Sequence, residues 1–331
     1  MSAHELNIGV DIGGTNIKFG IVDGEGRILR QRMVATDPKR GSGAILAGIS
    51  REISALMRES SLHAEDLTSI GIGVPGTADS EHGVVVYAPN LFWRNVPIVP
   101  AIQPAFGVPI WITQDTRAAA WAEYLVGSGR GLRGLAAVTL GTGIGCGMVI
   151  DGRIFHGALN TAGEFGHQIV ALDGAACNCG RHGCLEAHAG GLAIVRMAEK
   201  EIPRLHDLLE GKQEVDVADV YRLAQAGNAH ARQLTDRVLR YIGVGLVNLI
   251  NLNSVEMICL SGGISNAPGE LLLDPLVEFV RSRAYEMAAN QVRICRSTLG
   301  EDAPLIGACL LHREAEQAAL HPEAAMVLPV K

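Results

Sequence analysis

The sequence predicts an α/β fold made of two domains of like construction with a cleft between them. Three observations carry that expectation. Short β-branched runs broken by glycine and Asp-Gly turns alternate with segments whose apolar residues recur every three or four positions. The plan of strand, Gly-Thr turn, strand and Asp-Gly turn occurs twice, with Gly13 and Asp23-Gly24 lying 128 positions ahead of Gly141 and Asp151-Gly152, which suggests two similar halves. The chain has 331 residues, 48% of them apolar and 19% charged, enough for a large core and for two domains.

In chain order, residues 6–34 read as strand, glycine turn, strand, Asp-Gly turn and strand. A helix follows over GAILAGISREISALMRES, where Ile45, Leu46, Ile49, Ile53, Leu56 and Met57 share one face. The run SIGIGVPG (69–76) is a buried strand, GVVVYAPN (83–90) a second, and PIWITQD (109–115) a third that ends at an acid; AAAWAEYLVGSG is then helical. Residues 135–155 repeat the opening hairpin. VEMICLSGGIS (255–265) is an apolar strand leading into paired glycines, and PGELLLDPLVEFVRSRA has helical spacing. The domains expected are residues 1–115, joined by a last helix at about 304–320, and residues 116–303 with the cysteine loop.

Composition narrows the function. No apolar run approaches the roughly 20 residues that span a bilayer, and the first residues have no signal-peptide layout, so a cytoplasmic protein without membrane contact is expected. The formal net charge is -7 and basic residues occur singly, leaving no footprint for nucleic acid. A small-molecule partner is expected instead.

The two glycine turns, around Gly13-Gly14-Thr15 and Thr142-Gly143, let backbone N–H groups approach an anion closely, and each threonine adds a hydroxyl. Neither is a P-loop or a dinucleotide fingerprint. Their duplication, with Asp11 at the end of the first strand, points to a nucleotide held between two hairpins, with Asp11 beside a phosphate-bound Mg2+. Gly262 and Gly263 offer a third backbone approach, toward the nucleoside.

Seven cysteines are present, and Cys146, Cys259, Cys295 and Cys309 lie singly in apolar segments, as reduced core thiols do. Cys177, Cys179 and Cys184 crowd into eight positions of a glycine-rich loop, a pattern that suits Zn2+. His167 is expected as the fourth ligand, since His182 and His188 are too near Cys184 in sequence to be aimed back at the same ion. With four protein ligands the zinc would order the loop and not activate water. Glu164 and Glu186 flank this loop, and a held pair of carboxylates suits several hydroxyls of one sugar. Asp115, at a strand end before a helix, is either a helix cap or the group that takes a proton from an attacking alcohol.

Taken together, DIGGTNIK (11–18), GVPG (73–76), APNLFW (88–93), LGTGIGCGMVIDG (140–152), GEFGH (163–167), CNCGRHGCLE (177–186) and LSGGIS (260–265) resemble the ROK family of sugar kinases and sugar-responsive repressors. The GExGH plus CxCGxxGCxE combination is the specific part. The resemblance implies a two-lobed actin-like (ribonuclease-H-like) ATPase fold, with ATP and sugar meeting in the interlobe cleft. It implies that Asp115 is the base for the sugar 6-hydroxyl, and that Asn90, Gln114, Glu164, His167 and Glu186 occupy sugar-contacting positions. Gly13, Gly14, Thr15, Lys18, Thr142 and Gly143 fall on the phosphate side, Gly262 and Gly263 on the adenosine side, and His167 would hold zinc with one ring nitrogen and a sugar hydroxyl with the other. A homodimer is also implied.

The chain departs from that pattern at Gln114-Asp115-Thr116-Arg117, where relatives have Asn-Asp-Ala-Asn, and at Gly190, where many have serine. Gln114 shifts a sugar contact, and Arg117 is expected to bring a charge near the base, lowering its pKa or recognising an anionic substituent. The function expected is an ATP-dependent hexose 6-kinase, with glucose as the simplest acceptor. Alternatives are a kinase for N-acetylmannosamine, fructose, allose or mannose, and a non-catalytic sugar-sensing regulator. A DNA-binding repressor is disfavoured because no basic helix-turn-helix precedes the first hairpin.

Overall fold

The computed structural model describes residues 5–320. It divides into two compact units, the first comprising residues up to 133, 147–162 and from 302 on, the second residues 134–146 and 163–301. In the first unit the strands β1 (Leu6–Ile12), β2 (Asn16–Asp23) and β3 (Ile28–Ala35) precede helix α1 (Ser42–Glu59) and strand β4 (Leu67–Val74). A small antiparallel sheet follows, β5 (Thr77–Asp79), β6 (Val84–Ala88) and β7 (Trp93–Pro97), then α2 (Ile98–Ile102), β8 (Ile110–Gln114) and α3 (Asp115–Leu125). The chain then continues through β9 (Leu135–Leu140), β10 (Ile144–Ile150) and β11 (Arg153–Ile154) to helices α4 (Leu185–Ala189), α5 (Gly191–Glu201), α6 (Leu205–Leu208), α7 (Val217–Gln225) and α8 (Ala229–Asn253). It ends through β12 (Met257–Ser261), α9 (Leu273–Arg281), α10 (Glu286–Ala289), β13 (Arg293–Arg296), α11 (Ala303–Cys309) and α12 (His312–Leu320).

The two large sheets repeat one strand order, β3-β2-β1-β4-β8 and β11-β10-β9-β12-β13, so the duplicated hairpins belong to duplicated sheets. In each, the central strands pair in parallel (β1 with β4, β9 with β12), as alternating strand and helix segments require. The strand at 83–90 differs from the buried strand expected. It is the middle strand of the small sheet, and a register break that leaves Val86 out of the pairing with β5 goes with the 40% and 42% exposure of Val86 and Tyr87.

In the first unit α11 rests directly on sheet backbone. Gly9 pairs with Gly20 on β2 and with Gly71 on β4, forming a row without side chains. A β-carbon at Gly71 would stand 1.7 Å from the Ala308 carbonyl oxygen, and one at Gly9 would stand 2.7 Å from that of Leu305. On its other side α11 meets α3, where a β-carbon at Gly307 would lie 1.7 Å from the Ala118 carbonyl oxygen. Fully buried Trp121 of α3 donates its indole N–H to the Leu310 carbonyl at 2.9 Å. This packing is why α3 belongs to the first unit, whereas the sequence reading placed the boundary at residue 115. The expected helix at 304–320 is two helices, and α12 is tied down by His312, which lies 3.2 Å from Ser69 Oγ and also hydrogen-bonds Glu5.

Among the described residues no helix is long and apolar enough to cross a membrane. The glycine row yields a stability prediction. Gly71→Ala forces backbone apart and should cost about 3 kcal/mol or more. Gly43→Ala, in the exposed first turn of α1 with nothing near its β-carbon, should be neutral or stabilising by about 0.5 kcal/mol. Chemical denaturation of both variants decides it; equal stabilities would refute the packing argument.

Candidate functional site

The first unit brings together the glycine turn and two acids. The turn at 13–15 closes through the Gly13 N–H to Asn16 carbonyl bond at 2.9 Å, and Thr36 braces it from β3's end, its hydroxyl donating to the Gly13 carbonyl at 2.7 Å and its N–H to the Thr15 carbonyl at 2.8 Å. Gly14, Thr15 and Asn90 are exposed, and the Asn90 β-carbon lies 3.6 Å from where a Gly14 β-carbon would stand. Asp11 pairs across β1 and β2 with Lys18, whose ammonium lies 3.8 Å from Asp302. Burial pushes the Asp11 carboxyl up to about 6, with Lys18 opposing and Asp302 adding to the rise.

Asp115 is the first residue of α3, and Gln114, the last of β8, is its N-cap. The parallel β4/β8 register sets Val74 beside Gln114, so the helix begins level with the end of β4. One Asp115 oxygen accepts the Thr116 N–H at 2.7 Å. The β-carbon position of Gly73 lies 3.7 Å from both Asp11 Oδ1 and the Asp115 α-carbon, so the Asp11 carboxylate and the first residue of α3 flank one spot.

Arg117 is held among backbone carbonyls. It is 1% exposed, and its guanidinium donates to the carbonyls of Asn160 and Ala162, both at 2.9 Å, and of His156 at 3.4 Å. Two residues into α3 its side chain is directed to the 156–162 segment, where it supports that loop. His156 in turn reaches Glu314 of α12 at 2.8 Å.

In the second unit His167, Cys177, Cys179 and Cys184 offer ligand atoms that all lie within 4.8 Å of one another. Cys179 Sγ is 3.7 Å from Cys184 Sγ, and Cys177 Sγ is 3.7 Å from His167 Nδ1. A tetrahedral ion with Zn–S bonds of about 2.3 Å holds its sulfurs about 3.8 Å apart, so the donor set fits zinc. Burial and the neighbouring thiols push the Cys184 thiol up to about 12, and a bound dication would reverse that by taking the thiolate as a ligand. The other ring nitrogen of His167 lies 3.9 Å from Glu164, whose side chain is 45% exposed. His188 is engaged elsewhere: its Nε2 accepts the Ala175 N–H at 3.1 Å and its ring stacks on Tyr241.

The second glycine turn closes through the Gly141 N–H to Gly143 carbonyl bond at 2.9 Å, and Glu186 Oε2 accepts the Ile144 N–H at 2.9 Å. Beside this turn opens a cavity of about 690 Å³, lined by Thr142, Leu192, Arg196, Val217, Gly263 and Ile264 among others, a volume that suits a nucleoside. Gly262 has φ +85 and passes 2.5 Å, at its missing β-carbon, from the Leu140 carbonyl, which brings Gly263 to the cavity wall. Sequence reasoning found the glycines and missed Leu192, Val195 and Arg196 of α5 and Val217 and Ala218 of α7. The helical spacing in GLAIVRMAEK could have revealed α5, but not the face that lines a cavity.

The model of the ROK family matches residues 7–315. The glucokinase of Halalkalibacterium halodurans is 32% identical over 93% of this chain and 95% of its own, and that of Streptomyces coelicolor 33% over 93% and 98%. Among solved structures, a ROK family glucokinase from Streptomyces griseus in complex with glucose and AMPPNP superposes with a TM-score of 0.80 at 33% identity, covering 93% of this chain and 99% of that one. The α/β architecture with its duplicated sheets is the actin-like ATPase fold of these kinases. With matching motifs, matching fold and near-complete coverage, the chain belongs to the ROK family.

Proposed function

We propose that this protein is an ATP-dependent hexose 6-kinase whose acceptor is glucose. The observation that carries the reading is the pair of acids around Gly73, one on the strand that enters the glycine turn and one at the head of α3. Phosphoryl transfer to an alcohol needs a carboxylate near the metal–nucleotide and another to take the hydroxyl proton. The glucokinase relatives, and the neighbour bound to glucose and AMPPNP, support these substrates over other hexoses and N-acetylhexosamines.

Asp115 is the base that accepts the 6-hydroxyl proton while the γ-phosphoryl transfers in line. Its bond to the Thr116 N–H fixes one oxygen and leaves the carboxylate oriented by the helix start. Asn90, Gln114, Glu164, His167 and Glu186 hold the sugar hydroxyls. The turns at Gly13-Gly14-Thr15 and Thr142-Gly143 cradle phosphate, with Lys18 nearby, and Gly262-Gly263 borders the nucleoside cavity. Mg2+, when bound with the nucleotide, neutralises developing charge; Asp11 suits it because an acid held at a raised pKa beside Asp302 is relieved by a cation. Zn2+ orders the 167–184 loop through His167, Cys177, Cys179 and Cys184, so that the remaining His167 nitrogen and Glu164 are presented together.

Three outcomes are expected. Asp115→Asn should lower kcat by about 10²–10⁴-fold with glucose and ADP binding held within about 3-fold, read by coupled assay and calorimetry; undiminished turnover removes Asp115 from the chemistry. Elemental analysis should return about one zinc per chain, and a folded, metal-free protein would overturn that assignment. The third concerns pH. Because the folded state disfavours ionised Asp11, stability from this group is fully present below the ordinary value of 3.8 and is lost as pH rises toward about 6. Asp11→Asn should therefore melt a few degrees above the parent at pH 8, by about 2–4 °C per kcal/mol, and level with it at pH 4. Identical melting at pH 8 counts against a raised Asp11.

A further inference from the structure

We propose that Glu186 is a positioning residue for the nucleotide, and that through it the sulfur cluster sets the shape of the second phosphate-holding turn; this rests on the kinase reading above. Glu186 stands two residues beyond Cys184, on α4, and its Oε2 accepts the Ile144 N–H at 2.9 Å, at the root of that turn. The carboxylate occupies the space a side chain at Gly143 would need, since a β-carbon there would lie 2.4 Å from Oε2. The same segment then grips the turn's carbonyls. Gly191 N–H donates to the Gly141 carbonyl at 2.9 Å and Leu192 N–H to the Thr142 carbonyl at 3.3 Å, while Gly190 N–H bonds back to the Glu186 carbonyl at 2.9 Å. The closure is tight at Gly190, where a β-carbon would lie 2.8 Å from the Glu186 carbonyl and 3.3 Å from that of Thr142.

One N–H and two carbonyls of the turn thus end on residues 186–192, and that segment begins at a sulfur of the metal cluster. A void of about 30 Å³ lined by Thr142, Cys177, Asn178, Glu186 and Arg196 marks where the cysteine loop faces the turn. A metal that fixes Cys184 fixes the start of α4, and with it the carboxylate that holds the Ile144 amide. The turn's free N–H groups are then aimed before a phosphate arrives, which lowers the ordering cost of binding. A Glu186 that served the sugar alone would need no contact with Ile144 and no glycine at 143.

The test is calorimetric titration of the purified protein with MgADP and, separately, with glucose, for the parent, Glu186→Ala, Glu186→Gln and Cys179→Ser. Glu186→Ala is expected to weaken MgADP binding by about 10–100-fold, since an amide loses its charged acceptor. Glu186→Gln keeps a carbonyl acceptor for Ile144 and should bind MgADP within about 3-fold of the parent, which separates positioning from general damage. Cys179→Ser should weaken MgADP binding in the parent background and add little to Glu186→Ala, as groups on one path do. Parent-like MgADP affinity in Glu186→Ala overturns the positioning role, and additive losses overturn the link to the cluster. Failure of the parent itself to bind MgADP would instead bring down the kinase reading.

Discussion

The first unit depends on a helix lying against sheet backbone with nothing between. Gly20, Gly9 and Gly71 stand side by side on β2, β1 and β4, and α11 sits so close that its Leu305 and Ala308 carbonyls crowd the missing β-carbons of Gly9 and Gly71 and its Leu305 side chain that of Gly20. A helix at that depth leaves room for another over it. Gly307 admits α3 at the same close range, and the Trp121 indole locks the pair by its bond to the Leu310 carbonyl. The N-terminus of α3, which carries Asp115, is therefore held by a stack of sheet, α11 and α3. Close-packed interiors deform little, so an acid mounted on such a stack keeps its place better than one on a loop. The glycine turn at residues 13–15 is attached to the same sheet through β1 and β2, so turn and acid share one rigid base.

The second unit solves a similar placement problem with hydrogen bonds and sulfur. Its glycine turn leads into β10, whose first amide, that of Ile144, is taken by Glu186. The cysteine loop cannot rely on apolar packing alone: Cys177 and Cys184 are buried beside Ala187, but Cys179 is exposed. Burial raises the Cys177 and Cys184 thiols while Cys179 is lowered, and a dication bound there would favour all three as thiolates. The props around the loop are of ordinary kinds. His188 caps the Ala175 amide, and β-bridges join Ile169 to Cys184 and Ala176 to His182. Turns add to these, with the Gly174 N–H donating to the Ala171 carbonyl at 3.1 Å and the Gly180 N–H to the Cys177 carbonyl at 3.0 Å, so backbone bonds shape the loop in which the four donor atoms meet.

Much of this was legible in the sequence. Period-two and period-three-to-four spacings located the strands and helices of both hairpin halves, because burial on one face leaves that signature wherever a single sheet or helix face meets the core. The four metal-ligand candidates were legible because cysteines so close together have few other uses. What was not legible depends on distance in space. Arg117 reads as a charge beside Asp115, yet one helical step turns it to the carbonyls of Asn160 and Ala162, which no local pattern announces. The strand at 83–90 is apolar enough to look buried, and nothing in it shows the register break that goes with the exposure of Tyr87. The cavity wall from α5 and α7 has the same character, since helical spacing shows that a face is apolar without showing what it faces. The boundary near residue 115 failed to include α3 for a related reason: the helix is claimed by α11, which lies nearly two hundred residues further along.

The two units also differ in where they keep their strain, and the difference bears on function. In the first, an acid is held at a raised pKa beside a second carboxylate, an arrangement that opposes folding at neutral pH and is relieved when a cation enters. Folding must be secured elsewhere, and the fully buried Ile8, Val10, Ile53, Ile70 and Ile72 around the glycine row provide apolar burial worth about 1.5–3 kcal/mol for each such side chain. In the second, burial raises the Cys177 and Cys184 thiols, while at Cys179 bonds from the Arg181 backbone and the other two thiols outweigh burial and lower it. On the proposed function each place would be eased by a cation, one arriving with the nucleotide beside Asp11 and one held by His167 and the three cysteines.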